Sequence, residues 1–309
     1  MTKQLKYKNV TWIDLESPSK EELASISAKY NIHSLVLEEL SGPSTRSRVD
    51  SYENYLYLIL HFPACENCYA PGADISLDPE EIDFVIGKDF LITVHYQPLA
   101  QLEELSRIFE MRFGTEKLTK DMHAGYLFFH IIRSMYHTLE EGLEYNNKEL
   151  HEAERHVFAG REREMVSTLS DINRKLIDCR WALKSHHEVL TSFELAARDF
   201  FGKTFDFHLR AIIGEYEKVW GMLENNRDIF ADIRQTNESL LSIKTNETMR
   251  VLTATAFVFF PLTMVTGVFG MSSDFVPFMD KPWGFFLVLV IMLVVLAGMY
   301  LLAKKKQWL

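Results

Sequence analysis

The stretch VLTATAFVFFPLTMVTGVFGMSS, residues 251–273, runs for 23 residues without a charged side chain, between Arg250 and Asp274. A second stretch, PWGFFLVLVIMLVVLAGMYLLA over residues 282–303, adds 22 more between Lys281 and Lys304. A helix needs about 20 apolar residues to cross a hydrocarbon core of about 30 Å. Both stretches therefore read as transmembrane helices, joined by the loop 274–281. A core helix of a soluble domain would carry a polar stripe, and neither shows one.

The preceding 250 residues have a different composition. Of 33 basic and 43 acidic residues in the chain, 29 and 41 lie before Val251. With no basic stripe to neutralise phosphates, this acidic region excludes a nucleic-acid partner. Lys304, Lys305 and Lys306 open the tail 304–309, while the loop holds only Asp274, Asp280 and Lys281. The positive-inside rule places that tail in the cytoplasm, and two spans return the N-terminus to the same side. The opening MTKQLKYKN lacks the apolar core of a signal peptide. The expectation is a multi-pass protein of the inner (plasma) membrane, with both termini cytoplasmic and the lipid bilayer as a partner.

Prolines stand at 18, 43, 63, 71, 79 and 98, and then not again until Pro261. Before the gap, short elements alternate. Residues 10–14 read as a strand, Ser19 to Glu22 as a capping box opening a helix to about Tyr30, and residues 55–62 as a buried strand. Residues 82–86 and 90–95 flank Gly87-Lys88-Asp89, a hairpin signal. The fold class expected is an α+β cytosolic domain, followed by long helices and the two membrane spans. Its parts are an α/β domain over 1–118, a long helical hairpin over 119–204 broken near Gly160 and Gly202, and a stalk helix over 205–250.

The stalk carries Leu209, Ile212, Tyr216, Val219, Leu223, Asn226, Phe230, Ile233, Asn237 and Leu240 at 3-4 spacing. This is a heptad seam interrupted by two asparagines. No proline stops it before the first span. A helix from Leu209 to Met271 would be roughly 94 Å long at ~1.5 Å per residue, and it needs partners along its length. Copies of the same chain are the simplest partners.

Two helices cannot enclose an aqueous path, so conduction would require several chains to lend one helix each. Asn246, Met249, Thr253, Ala256, Phe260, Thr263, Gly267 and Gly270 share one stripe of the first span, whereas the second span is almost wholly aliphatic and aromatic. Two readings fit the stripe equally: a pore lining, or small and hydroxylated residues that let helices pack closely in lipid. Neither span holds Asp, Glu, His, Lys or Arg, so a carboxylate cage within the membrane is excluded. Hydroxyls and carbonyls suit an ion that keeps its water, and Mg²⁺ dehydrates reluctantly.

The segments Thr245-Asn246-Glu247-Thr248-Met249-Arg250-Val251-Leu252-Thr253, Pro261-Leu262-Thr263, Gly267-Val268-Phe269-Gly270-Met271 and Trp283-Gly284 resemble the CorA-type divalent-cation transporters. So do Trp12-Ile13-Asp14-Leu15, residues 55–60 and residues 87–95. The resemblance covers essentially the whole chain. It implies a funnel-like homopentamer whose first span lines a channel for hydrated Mg²⁺, often also Co²⁺ or Ni²⁺. The cation is the cargo; no resident cofactor is implied. By the same resemblance Asn246 forms a polar ring at the inner mouth, Met249 and Leu252 form a hydrophobic gate, and Thr263 and Gly267 line the pore. Gly270, Met271 and Ser272 occupy the outer-mouth signature.

The chain departs from the family pattern in four places. Gly270-Met271-Ser272 replaces Gly-Met-Asn, trading an amide oxygen for a shorter hydroxyl. The loop reads Val276-Pro277-Phe278-Met279, leaving Asp274 and Asp280 to attract cations. Phe260 stands where Met is common and narrows the channel. Arg210-Ala211 replaces an Arg-Asp pair whose Asp holds a regulatory Mg²⁺, leaving acids such as Asp206 as substitutes. These departures keep two alternatives in play: a zinc or other transition-metal transporter, and a non-conducting membrane scaffold or sensor of the same fold.

Other constellations carry less. Cys65 and Cys68 form a lone C-x-x-C, a weak metal signal without a second pair. His123, His130 and His137 repeat every seven residues, with neighbours about 10.5 Å apart along a helix, too far to share one ion. Glu152 and His156 read as a solvated pair, and Cys179 as a packed thiol. No phosphate-binding loop, dinucleotide fingerprint or Ser/His/Asp motif is present, so the chain does not read as an enzyme.

Overall fold

The computed structural model describes residues 2–7, 9–44, 46–63, 79–112, 123–270 and 283–305. Two compact units divide the chain, Met1–Arg234 and Gln235–Leu309. The first opens with strands β1 (Thr2–Tyr7) and β2 (Val10–Glu16) and helices α1 (Lys20–Tyr30) and α2 (Ser34–Glu39). Strands β3 (Arg48–Ser51), β4 (Leu56–Phe62), β5 (Glu80–Ile86) and β6 (Phe90–His95) and helix α3 (Ala100–Arg112) follow. The six strands form one mixed sheet in the order β1-β2-β6-β5-β4-β3, in which only β2 and β6 run parallel.

β4 is buried at every position, which explains why its sequence LYLILHF is a near-continuous apolar run. Successive side chains leave opposite faces. Tyr57, Ile59 and Val85 pack with Leu23, Ile32 and Val36 of the α1–α2 layer. From the other face Phe84 meets Phe128 edge-on with ring centroids 5.2 Å apart, and Phe62 meets Tyr136 at 6.0 Å. α1 begins with the expected capping box: Glu22 N–H donates to Ser19 Oγ at 3.2 Å, and Ser19 N–H to Glu22 Oε2 at 2.9 Å.

The second layer is helical: α4 (Ala124–Phe158), α5 (Glu162–Leu183), α6 (His186–Phe201), a short 3₁₀ turn (Lys203–Phe205) and α7 (Asp206–Phe269). The two expected interruptions fall at Gly160 and Gly202, with φ of 86° and 85°, a region that glycine alone enters without strain. A third break was not expected. At Lys184-Ser185 both residues keep right-handed dihedrals, so nothing in the local chemistry announces it. The break places His186 at the start of α6, fully buried, where Nε2–H donates to His61 O at 2.8 Å. The Tyr136 hydroxyl lies 2.8 Å from Nδ1, which that tautomer leaves as the acceptor. Burial pushes the His186 pKa down to about 3, so the ring stays neutral.

The seam on α7 is where the structure corrects the sequence most. Leu209, Ile212, Tyr216, Val219, Leu223, Asn226, Phe230 and Ile233 are all buried within a single chain. α4 lies alongside in the same direction, tied by Arg133 to Glu215 at 3.0 Å and by Lys218 to Glu140 at 2.5 Å. α5 and α6 run in the opposite direction beside them, with Arg180 reaching Glu224 and Arg198 reaching Asp206. The seam was expected to bind copies of the chain. The chain itself already covers the eight positions from Leu209 to Ile233, while Leu240 stays half-buried.

In the second unit α7 continues to Phe269, and α8 spans Gly284–Lys305. Both are long and apolar enough to cross a membrane. α7 is half-buried along Val258, Pro261, Leu262, Val265 and Phe269, with Ala254 buried; α8 is half-buried along Leu287, Val288, Ile291, Met292, Val295 and Met299.

Candidate functional site

The stripe residues Asn246, Met249, Thr253, Ala256, Phe260, Thr263 and Gly267 all lie exposed on α7, as does Leu252, and Gly270 lies exposed just past its end. At 3.6 residues per turn their mean direction is about half a turn from the half-buried face at Ala254, Val258, Val265 and Phe269. One side of the helix is therefore occupied within its own unit, and the stripe is the side left open. Phe260 is 75% exposed and the largest group on the stripe.

The stripe's chemistry is set by its threonines. Thr253 Oγ1–H donates to Met249 O at 2.8 Å, and Thr263 Oγ1–H to Phe259 O at 3.0 Å. This bonding to the preceding turn satisfies hydroxyls inside an apolar helix. Their remaining lone pairs are acceptors, so the stripe offers oxygen without charge. Gly267 has nothing within 4 Å of where a Cβ would stand. A Cβ on Gly270 would lie 2.8 Å from Thr266 O, so that position needs glycine as the helix ends. Met271, Ser272, Asp274 and Asp280 of the outer mouth lie outside the described residues, as do Cys65 and Cys68.

Away from the stripe, no group of three or more His, Cys, Asp or Glu among the described residues is arranged to hold a metal. Asp206, named above as a substitute acid for a regulatory site, accepts from Arg198 Nε at 3.0 Å. His123 does not share a helix face with His130 and His137. It caps α4, Nδ1 accepting from Gly125 N–H at 3.2 Å while its ring stacks on Phe201 at 4.3 Å. Burial lowers its pKa to about 4. Cys179 is buried, and burial raises its thiol to about 12, as expected of a packed residue.

The sequence reading missed the polar floor of the sheet. Thr93 Oγ1 accepts from Trp12 Nε1 at 3.0 Å and donates to Asp14 at 2.5 Å, while Tyr96 donates to the buried Asp83 at 3.1 Å. Burial raises the Asp83 carboxyl well above its ordinary range. These groups partner each other and present no open face.

Residues 7–305 match the family model described as CorA-like Mg²⁺ transporter protein. The chain is similar to the cobalt/magnesium transport protein CorA of Thermotoga maritima, 26% identical over 306 residues, covering 97% of this chain and 83% of the relative. It is also similar to the cobalt/magnesium transport protein CorA of Methanocaldococcus jannaschii, at 22% identity over 96% of this chain and 90% of that one. The complete structure of the CorA magnesium transporter from Methanocaldococcus jannaschii superposes with a TM-score of 0.81 at 21% identity, covering 99% of this chain and 94% of that one. The mixed-sheet domain, the long helices and the two membrane helices thus recur as one fold.

Proposed function

The chain belongs to the CorA-like Mg²⁺ transporter family, and from that premise we propose that it is a channel-like importer of divalent cations, Mg²⁺ foremost. Five copies gather their α7 helices around one axis, with the open stripe facing the centre and α8 facing lipid. The termini lie on the cytoplasmic side, following the lysines at 304–306. The observation that carries this reading is the position of the stripe, about half a turn from the half-buried face of α7 and free of charged groups. A ring of Thr253 and Thr263 oxygens accepts hydrogen bonds from the water around a cation and takes no part in stripping that water away. A double charge crossing ~100 mV gains about 4.6 kcal/mol, enough to drive entry without further coupling. Met249 and Leu252 close the path by excluding water, and Asn246 receives the ion below them.

The test is divalent flux into liposomes carrying the purified protein. Flux in the wild type that vanishes in Thr263→Trp supports the reading. A series across Mg²⁺, Co²⁺, Ni²⁺ and Zn²⁺ assigns the cargo, and Ser272→Asn is expected to shift competition towards Mg²⁺. Absence of flux for every ion would replace the reading by a non-conducting scaffold.

A further inference from the structure

Asn226 is 2% exposed in the middle of an apolar seam, between Leu223 and Phe230. Burying an amide there is unfavourable unless its hydrogen bonds are met. Both ends of this one are met by α4. Asn226 Nδ2 donates to Leu143 O at 2.7 Å, and Asn226 Oδ1 accepts from Asn147 Nδ2 at 2.9 Å. The partner carbonyl belongs to the backbone, so the bond fixes axial position as well as side-chain pairing.

We propose that Asn147 and Asn226 are positioning residues that hold α7 in a single axial register against α4. Elsewhere on this part of the seam Val219, Leu223, Phe230 and Ile233 are apolar and form no directional bond that fixes an axial position. A slip of one heptad displaces α7 by about 10.5 Å. Asn147 then stands against Val219 or Ile233, neither of which can accept from it. The amides meet in only one register, and the side-chain pairs Arg133–Glu215 and Lys218–Glu140 agree with it. α7 is one unbroken helix from Asp206 to Phe269. The register set at Asn226 is therefore the register of the helix that carries the stripe, which is where this inference rests on the transport reading.

The experiment uses the full chain in liposomes, with Cys65, Cys68 and Cys179 replaced by alanine and spin labels on His151→Cys and Asp228→Cys. The doubly labelled chain is co-assembled with excess unlabelled chain, so that an assembly carries at most one labelled pair, and in the wild-type seam that intrachain distance has one population. Asn147→Leu with Asn226→Leu is expected to melt at a higher temperature, because it removes the buried amide of Asn226 together with its half-buried partner. It should also show a second distance population, displaced by up to roughly 10 Å. Flux should fall about five- to tenfold despite the added stability. Asn226→Asp serves where the leucine pair does not fold. Its protonated carboxyl reproduces the donor and acceptor of the amide, so its single population and flux return as pH falls. A single, unshifted population in both variants overturns the register role whatever the flux. A second population with unchanged flux overturns its link to the stripe. If the wild type conducts nothing, the transport reading fails alone, and the distances still judge the register.

Discussion

Two halves of α7 repeat the same 3-4 spacing and are treated in opposite ways by the rest of the chain. From Leu209 to Ile233 the periodic face is large, apolar except for Asn226, and buried. From Asn246 to Gly270 it is small, hydroxylated and open, although Phe260 and Met249 are as apolar as anything in the seam. Periodicity identifies a face; it does not say what covers it. Composition separates the two cases. Leu, Ile, Val and Phe gain about 25 cal/mol for each Å² hidden from water, which draws an intrachain partner, whereas Thr, Gly and Ala gain little.

The contrast breaks most directly at Phe230, 8% exposed in the seam. Phe230→Asp should cost about 4 kcal/mol or more of folding stability, read as loss of the cooperative melt; had the seam served only copies of the chain, the monomer would fold unchanged and only oligomer mass would fall. On the stripe the reverse is expected. Gly267→Trp should leave the melt in place, since nothing stands within 4 Å of that position, while flux falls to background.

A third measurement concerns the unexpected break before α6. His186 titrates near 3 in the folded protein against an ordinary value of 6.5. The stability contributed by its neutral ring is therefore complete above about 6.5 and drains away as pH falls from there towards about 3. His186→Gln keeps a donor for His61 O and an acceptor for Tyr136, so its urea midpoint should change less between about pH 7 and about pH 4 than that of the wild type. The smallest effect sharpens the stripe itself. Thr253→Val should lower flux about two- to fivefold, the worth of one hydrogen bond, and Thr255→Val, about a third of a turn from the stripe's mean direction, should not.

Much of the fold was legible because its signals are local. Ser19 with Glu22 announced α1, Gly87 the β5–β6 hairpin, Gly160 and Gly202 the helix ends, and two uncharged stretches the membrane helices. What escaped is non-local. Lys184-Ser185 breaks a helix because His186 is needed against β4, far away in sequence. β1 reads TKQLKY, with no apolar alternation, and exists because β2 offers it a ladder. The stripe was visible as a line of residues, but the direction it faces depends on which side α8 occupies. The intrachain cover of the seam was hidden for the same reason: it belongs to α4, some eighty positions earlier in the chain.

The sheet ends at two modest edges. β3 is four residues long, and β1 carries Lys3 and Lys6 along a strand with one neighbour only. Such margins discourage strand-to-strand zippering between chains. Copies crowded side by side in a bilayer are thereby steered away from cross-chain ladders, and any ordered gathering is left to helices, whose contacts can rearrange without unravelling a domain.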